Sequence, residues 1–222
     1  RWAWLQLRRS AIAIAKLIDY QLDGATAASG DVRLRVTNAS ALTGIVTSVP
    51  GSAPVVVRSE DATLPIKGEL QAPVSIDLSL GTEVTLPWEH SLTQPTYVQA
   101  SSGQPDQTVY LPFGPFLDGS EVVATATQPL WTRVDSFIRS GPADTHYRVQ
   151  VDHLDRATVI FGNGARGAIP IGNIETDYKI GGGLSGNLPE GALKRCDASF
   201  IDSVGRPAYV EVTNLLPTSG GY

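Results

Sequence analysis

Apolar residues along the chain recur with two different periods, one near its start and one from Gly30 onward. Over the first 22 residues the spacing is three to four positions, which is typical of an amphipathic helix. Charged side chains such as Arg9 and Lys16 populate the other side of this predicted helix, and Gly24 ends the pattern. The apolar stripe of the helix consists of Trp4, Leu7, Ala11, Ile14 and Ile18.

The sequence contains no second helix with which this stripe could pair. An amphipathic helix buries its apolar side against a neighbouring element. We therefore expect the stripe to be an interface with an upstream region or with another subunit. Docking on the chain's own β-structure is the alternative that the pattern leaves open.

From Gly30 onward the period changes to two, as in a β-strand with one buried face. Val32, Leu34 and Val36 alternate with Arg33, Arg35 and Thr37 at the start of this region. Further strand-like runs lie at 44–49, 55–58, 74–80, 84–87, 107–111 and 121–127, and Pro or Gly interrupts nearly every gap between them. Short strands separated by turn residues favour antiparallel β-structure over strand-helix alternation.

The second half of the chain continues in the same way after a short helical or irregular piece at 134–140. Alternating runs at 147–151 and 157–161 predict a β-hairpin with a five-residue connection, and a further strand is expected at 174–180. No internal repeat is evident. The predicted fold is α+β and predominantly antiparallel β, with a helix at 1–23, a β-rich domain at 24–140 and a β-rich subdomain with glycine turns at 141–222.

Composition narrows the class of protein. The chain has 222 residues, a net charge of -5 and a pI near 5.1, which argues against a nucleic-acid partner because phosphate binding needs a cationic face. The single cysteine, Cys196, excludes an internal disulfide framework, and no apolar run is long enough for membrane insertion. The absence of Met, even at position 1, predicts a fragment or processed segment that begins within a longer helical region and is truncated at its C-terminus.

A G-x-G-x-x-G string formed by Gly162, Gly164 and Gly167 follows an apolar strand, as in dinucleotide-binding turns. Such a site needs a helix to open at the last glycine, and Pro170 would break that helix. The nearest acidic residue, Glu175, also comes too early to bind a ribose. The string therefore predicts a structural turn between strands, with no cofactor.

Candidate catalytic and metal-binding residues are few. Five residues close in sequence suggest a metal site, but their spacing is looser than that of structural metal sites: Asp144, His146, Asp152, His153 and Asp155. A hydrolase using Asp144 and His146 is the weakest hypothesis, since no nucleophile elbow accompanies them. The glycines at 181–183 suit either an anion-binding nest or a close backbone crossing. We expect no catalytic residue, no metal and no enzymatic activity.

Several strings, in order, resemble the baseplate J family of contractile phage tails and related injection machines. The strings are SSGQPDQ, WTRVDSFIRSGPADTHY, ATVIFGNGARGAIP, DYKIGGGLSGNLPEG and the terminal LLPTSGGY. Members of the family typically carry FGDG, then G-x-x-P, then YRxGGGxxGN. The matching turn residues here are Phe161, Gly162, Asn163, Gly164, Gly167, Pro170, Tyr178, Gly181, Gly182, Gly183, Gly186 and Asn187, with Asn163 in place of the usual Asp.

This resemblance implies a structural, non-enzymatic role. Family members are baseplate wedge components that join the spokes into a ring around the tail hub and help couple receptor engagement to sheath contraction. The expected partners are other wedge and hub proteins and further copies of the chain, in a virion tail baseplate made in the host cytoplasm. The alternative is a β-rich carbohydrate- or ligand-binding module of a secreted or surface protein, with Trp88, Tyr97 and Trp131 as stacking platforms.

Overall fold

The computed structural model describes residues 24–38, 44–49, 54–61, 63, 65–77 and 83–222. The predicted helix at 1–23, with its stripe from Trp4 to Ile18, lies outside the described residues. The strands are β1 Ser29–Val36, β2 Ile45–Val49, β3 Val56–Ser59, β4 Lys67–Leu70, β5 Ser75–Asp77, β6 Glu83–Glu89, β7 Ser91–Thr93, β8 Tyr97–Ala100, β9 Thr108–Tyr110, β10 Val122–Thr125, β11 Thr132–Arg133, β12 His146–Val151, β13 Ala157–Phe161, β14 Asn173–Asp177, β15 Lys179–Gly181, β16 Leu193–Cys196, β17 Ser199–Ile201, β18 Pro207–Ala208 and β19 Val210–Asn214.

The described part of the chain is predominantly antiparallel β, as predicted. Every strand pair is antiparallel except the short pair of β11 with β12. Its helical elements are two single turns of 3-10 helix, Phe137–Arg139 and Leu184–Gly186. The first of these falls within the predicted helical piece at 134–140.

One hydrophobic core lies between a six-stranded sheet, ordered β16-β3-β4-β6-β1-β19, and a four-stranded sheet, ordered β18-β17-β2-β5. The alternation predicted for β1 is confirmed, since Val32 and Leu34 are buried while Arg33 pairs with Glu83 at 3.3 Å. Asn214 brings the two ends of the six-stranded sheet together. Its Oδ1 accepts from the amide of Leu193 at 2.9 Å, which links β19 to β16.

A second core lies between sheet β11-β12-β13-β9 and sheet β10-β14-β8. The predicted hairpin is confirmed, because β12 pairs with β13 from Tyr147 opposite Phe161 to Val151 opposite Ala157. At the centre of this core, Trp131 and Phe161 pack edge to face at 5.0 Å between ring centroids.

The boundary predicted near Ser140 does not separate the two cores. The second core contains buried residues on both sides of it, from Val109 to Trp131 and from Tyr147 to Tyr178. The first core is built from an early stretch, Val32 to Trp88, and a late one, Leu193 to Val212. The chain thus leaves the first core after β6, builds the second, and returns. Strand pairing between distant stretches is not visible in local hydrophobic periodicity, which explains the difference.

Candidate functional site

The strings that carry the resemblance meet at two places in the fold. The first, the glycine turn, comprises residues 162–172 between β13 and β14. The second, the glycine seam, comprises residues 181–187, from the last residue of β15 into the connection to β16. The glycine turn crosses from one sheet of the second core to the other, so it is a sheet-to-sheet connection and not a hairpin.

The glycine turn is folded tightly on itself. Gly164 and Gly167 have φ angles of 82° and 77°, which side-chain-bearing residues rarely adopt. A Cβ added at Gly162 would overlap the carbonyl group of Gly167. The amide of Gly164 donates to the carbonyl of Gly167 at 2.9 Å. These contacts account for all three glycines by geometry.

Asn163 acts in this turn as a hydrogen-bond acceptor. Its Oδ1 accepts from the amides of Ala165 at 3.0 Å and Arg166 at 2.9 Å, forming an Asx turn. A carboxylate oxygen could accept the same two bonds. The departure from the Asp of the family pattern therefore leaves the turn intact.

The SSGQPDQ string holds the glycine turn from one side. Ser101 donates from Oγ to the carbonyl of Pro170 at 2.6 Å and from its amide to that of Gly172 at 2.8 Å. The Oε1 of Gln107 accepts from the amide of Ser102 at 2.8 Å and from its hydroxyl at 2.9 Å. Two strings of the resemblance, about 60 residues apart, are thus joined directly.

The WTRVDSFIRSGPADTHY string holds the turn from the other side. The amide of Gly167 donates to the backbone carbonyl of Gly141 at 3.0 Å, and the amide of Ala168 donates to the backbone carbonyl of Asp144 at 2.8 Å. The Asp144 carboxylate accepts from the amide of Gly141 at 2.7 Å, and His146 Nδ1 lies 2.9 Å from Ser140 Oγ. Asp144 and His146 therefore shape this loop.

The structure separates the residues considered for a metal site. Asp144 and His146 lie at the start of β12, whereas Asp152, His153 and Asp155 follow its end, about 17 Å further along a six-residue strand. Asp152 caps the hairpin loop, since its Oδ1 accepts from the amides of Leu154 at 2.8 Å and Arg156 at 3.0 Å. Among the described residues, no group of three or more His, Cys, Asp or Glu side chains is arranged to hold a metal ion.

The glycine seam joins the second core to the first. The amides of Gly181, Gly182 and Gly183 donate to the carbonyls of Pro115, His90 and Thr26 at 2.9, 2.9 and 3.0 Å. Their φ angles of 131°, 85° and 76° are rarely adopted by residues with a side chain, so these three positions favour glycine. All three amide groups have protein acceptors, so they do not form an anion-binding nest. The close-crossing interpretation of these glycines is the one that the structure supports.

Asn187 and Gly186 extend the seam. Asn187 donates from Nδ2 to the carbonyl of Gly221 at 2.9 Å and accepts from its amide at 3.0 Å. Gly186 lies against the ring of His90, where any Cβ would overlap Nδ1. The His90 ring stacks on Trp88 at 6.2 Å. Gly221 of the terminal LLPTSGGY string is thus bonded to Asn187 of the DYKIGGGLSGNLPEG string.

Tyr178 and Lys179 enter the seam from β14. Tyr178 is buried against Phe116, and its hydroxyl accepts from the amide of Phe113 at 3.2 Å. Burial raises the pKa of this hydroxyl. Lys179 bonds Glu89 of the first core at 3.2 Å. Tyr178 therefore anchors the string in the second core while the next residue reaches the first.

Three buried ionisable groups have displaced pKa values. Burial lowers the pKa of His90, whose Nδ1 has no hydrogen-bond partner. Burial raises the pKa of Glu121, although Arg133 bonds it at 3.1 Å. Burial also raises the pKa of the Cys196 thiol to about 11, which keeps it protonated and unreactive near neutral pH. None of the three forms part of a catalytic constellation. Ser140 Oγ and His146 Nδ1 are in hydrogen-bond contact, with Asp144 Oδ2 at 3.9 Å from the same nitrogen, and this contact lies in the loop that holds the glycine turn.

Trp88 and Trp131, considered as stacking platforms for a carbohydrate, are core residues with 0% and 4% exposure. Tyr97 is half-buried and packs against the second core. Three open depressions have volumes of about 250 to 350 Å³, and one of them is lined by Glu89, Asp118 and Lys179. Of Trp88, Tyr97 and Trp131, Trp131 alone lines one of these three depressions, and it is buried there.

No protein-family model matches the chain, and no curated protein matches it. Within the described ranges, no helix has the length and apolar character needed to cross a membrane.

Several residues that organise the glycine turn, the glycine seam and the ends of the six-stranded sheet carry no recognisable motif in the sequence. His90, Ser101, Gln107 and Asn214 are polar residues whose roles depend on partners distant in the chain. Only the serine-rich spacing of SSGQPDQ indicates a loop with side-chain hydrogen bonds.

Proposed function

We propose that the chain is a structural baseplate wedge component of a contractile phage tail or related injection machine. In this role it joins wedges into a ring around the hub and couples to sheath contraction. One observation carries the proposal. The strings that resemble the baseplate J family make the backbone junctions of the fold, at the glycine turn and the glycine seam.

The chemistry of these junctions supports a scaffold over a catalyst. Their glycines, Asn163, Asn187 and Ser101 are engaged in hydrogen bonds within the chain. Side chains held in this way fix the relative position of sheets and leave few groups for a substrate. A rigid β-body of this kind suits a part that must transmit force between neighbours.

Closing a ring requires heterologous contacts, in which two different surfaces of the same subunit meet. Those contacts must also be able to rearrange when the sheath contracts. The partners of the chain are accordingly other wedge and hub proteins and further copies of itself, in the tail baseplate of a particle assembled in the host cytoplasm. No nucleic acid, membrane, metal or cofactor takes part in this proposal.

We further propose that residues 1–23 form the amphipathic helix that their spacing predicts, so that the whole chain is α+β. The helix would precede the two β-bodies and supply an apolar stripe from Trp4 to Ile18.

The test is deletion and complementation in a strain that makes the particles. Deleting the coding sequence should abolish contractile tails with complete baseplates, as counted by negative-stain electron microscopy, and the unchanged protein should restore them. Gly162→Ala, which disrupts the glycine turn, should fail to restore them. Gly141→Ala is the matched control, because Gly141 has no positive φ and an added Cβ would meet its neighbours only at ordinary contact distances of 3.6 Å or more. Normal tails after deletion would contradict the proposal.

A further inference from the structure

The outer face of sheet β10-β14-β8 is open and combines apolar with acidic side chains. We call Val98, Ala100, Val122, Ala124, Glu175 and Asp177 the acidic sheet face. Glu175 on the central strand lies opposite Val98 on one side and Ala124 on the other. Val98 and Val122 are 51% and 48% exposed, whereas Val123 and Ile174 on the inner face are buried.

The negative charge of this face is not neutralised by the described residues. Glu175 makes no ion pair or hydrogen bond with them, and Asp177 accepts one bond, from Thr96 Oγ1 at 2.6 Å. Exposed valines on both sides of an unpaired carboxylate are a surface suited to a partner that is both apolar and cationic.

The chain contains one segment of that chemistry, residues 1–23. Its four basic residues, Arg1, Arg8, Arg9 and Lys16, outnumber Asp19 and Asp23, which gives a net charge of +2 in a chain of net charge -5. Arg8 follows Trp4 by four residues and precedes Ala11 by three. In a helix Arg8 would lie beside the apolar stripe. Its guanidinium could then pair with a carboxylate while the stripe remains packed on apolar side chains.

The point at which this segment joins the body favours the same face. Gly24 lies against Phe116 and Asp118, where an added Cβ would be 3.0 Å from the Asp118 Cβ. Asp118 also donates from its amide to Ala25 at 3.1 Å. Val122, which pairs with Asp177 at the end of the sheet, is four residues further on, within about 14 Å of chain.

The length of the segment is sufficient. Twenty-three helical residues span about 35 Å, whereas the four-residue strand β10 is about 13 Å long. A short tether also gives the segment an effective concentration on the order of millimolar at this face, which a free second molecule reaches only at high concentration.

We infer that the acidic sheet face is the docking site of the chain's own residues 1–23, with Arg8 beside Glu175 and the apolar stripe on Val98 and Val122. This inference resolves the alternative left open by the sequence in favour of intramolecular docking. It does not depend on the proposed baseplate role.

Paramagnetic relaxation in the full chain tests the inference. A nitroxide is attached at position 13 by Ala13→Cys in a Cys196→Ala background, because position 13 of the predicted helix faces away from the apolar stripe. Amide peaks are compared before and after reduction of the label. We expect at least a twofold loss of peak height for Val98, Val122 and Glu175. Peaks of β19, on the first core, should keep their height. Equal effects on β19 and on the acidic sheet face, or none on the face, would overturn the inference.

Two further arms define the contact. In a mixture of labelled, isotope-free protein with unlabelled, isotope-enriched protein, broadening of the same peaks would assign the face to a second copy and overturn intramolecular docking. Glu175→Lys should at least halve the intramolecular broadening, whereas Glu211→Lys, an exposed strand carboxylate on the first core, should not change it. If Glu175→Lys does not fold, 0.5 M salt on the unchanged sequence replaces it, with the same expected reduction. Broadening that is unaffected by both charge reversal and salt would contradict the Arg8–Glu175 contact.

Discussion

The side-chain amide of Asn187 exchanges two hydrogen bonds with the peptide of Gly221, at 2.9 and 3.0 Å. This pair fixes the last residues of the chain to the end of the glycine seam. Thr26 adds to the closure, since its amide donates to the carbonyl of Tyr222 at 3.0 Å. The first and last described residues are therefore held at the junction between the two cores.

Asn187→Ala should lower the free energy of unfolding by about 1–3 kcal/mol, because it leaves the amide and carbonyl of Gly221 without their partners. Urea denaturation measures the change, and faster hydrogen exchange at the Gly221 amide should accompany it. Asn173→Ala is the matched control, since Asn173 is exposed on β14 and makes no side-chain hydrogen bond. Equal stability of the two variants would contradict the role assigned to Asn187.

Substitutions at the two glycines of the FGNG string should destabilise the protein for different reasons. Gly164→Val forces a side chain into φ 82° and should cost about 1–3 kcal/mol in folding or assembly. Gly162→Ala should cost more than Gly164→Ala, because its Cβ would overlap backbone atoms of Gly167 that cannot move without opening the turn. Urea denaturation of the variants gives the order.

Two results would contradict this interpretation of the glycine turn. If Gly162→Ala were as stable as the unchanged protein, the tight packing of Gly162 on Gly167 would be wrong. Measurable NAD binding by the unchanged protein that disappears in Gly164→Val would instead overturn the structural interpretation of the G-x-G-x-x-G string.

His90 should make the first core sensitive to mild acid. Burial lowers the pKa of His90 below its usual value of about 6.5, so the unfolded chain takes up a proton before the folded one does. This contribution to stability is complete above pH 6.5 and is lost as pH falls below it. His90→Phe retains a ring beside Trp88 and Gly186 and should weaken the pH dependence between pH 7.5 and 5.5.

The comparison between the unchanged protein and His90→Phe isolates this effect. Burial raises the pKa of Glu121, which acts with the opposite sign, because stability from that group is lost as pH rises through its titration. Both proteins share Glu121, so its effect cancels in the difference. Identical slopes of stability against pH would contradict the assignment to His90.

Arg133 should be more important to stability than an exposed cation. It bonds Asp118 at 2.8 Å and Glu121 at 3.1 Å, and the Glu121 side chain is only 2% exposed. Arg133→Met would leave that carboxylate buried without its cation and should destabilise the protein by about 3–5 kcal/mol. Glu121→Gln in the same background should recover part of the loss, and a double-mutant cycle in urea would measure the coupling. No recovery would mean that the two side chains act independently.

The sequence was most informative where strands alternate locally. β1, β12 and β13 each bury every second residue, and the five-residue loop between β12 and β13 follows from the spacing of the two patterns. β4 was not predicted, because its two central residues, Gly68 and Glu69, are both buried and do not alternate between apolar and polar side chains. Gly68 lies under the indole of Trp88, and Glu69 is buried, accepting from Thr93 Oγ1 at 2.8 Å. These contacts depend on partners that local periodicity cannot reveal.

Strands β7, β8, β11 and β16 to β19 were not predicted either, and each of them has only two to five residues. Two of the loops that join these and earlier strands share a regularity that is difficult to recognise in the sequence. The hairpin loops that begin at Asp152 and Asp202 share one geometry, in which Asp Oδ1 accepts from the amides two and four residues later. A positive φ at Asp155 and at Gly205 completes both loops. The shared pattern is Asp followed four residues later by Arg, which is too short to recognise as a repeat.

The residues of the candidate site could be predicted from the sequence, but the contacts that bring them together could not. The glycine strings identified Gly162 to Gly167 and Gly181 to Asn187 as turn residues. Their meeting with Ser101, Gly141 and Gly221 depends on contacts between stretches more than 25 residues apart. The wedge function itself remains a prediction that depends on the resemblance and on the placement of its strings.

Locating the protein in intact particles tests that function most directly. An epitope tag at the C-terminus of the coding sequence, in the strain that produces the particles, allows immunogold labelling under the electron microscope. The proposed function predicts gold at the baseplate end of extended tails, with several labels per tail. Particles that carry no label, while the tagged protein is recovered as a free monomer that binds glycans, would contradict it and favour the ligand-binding module.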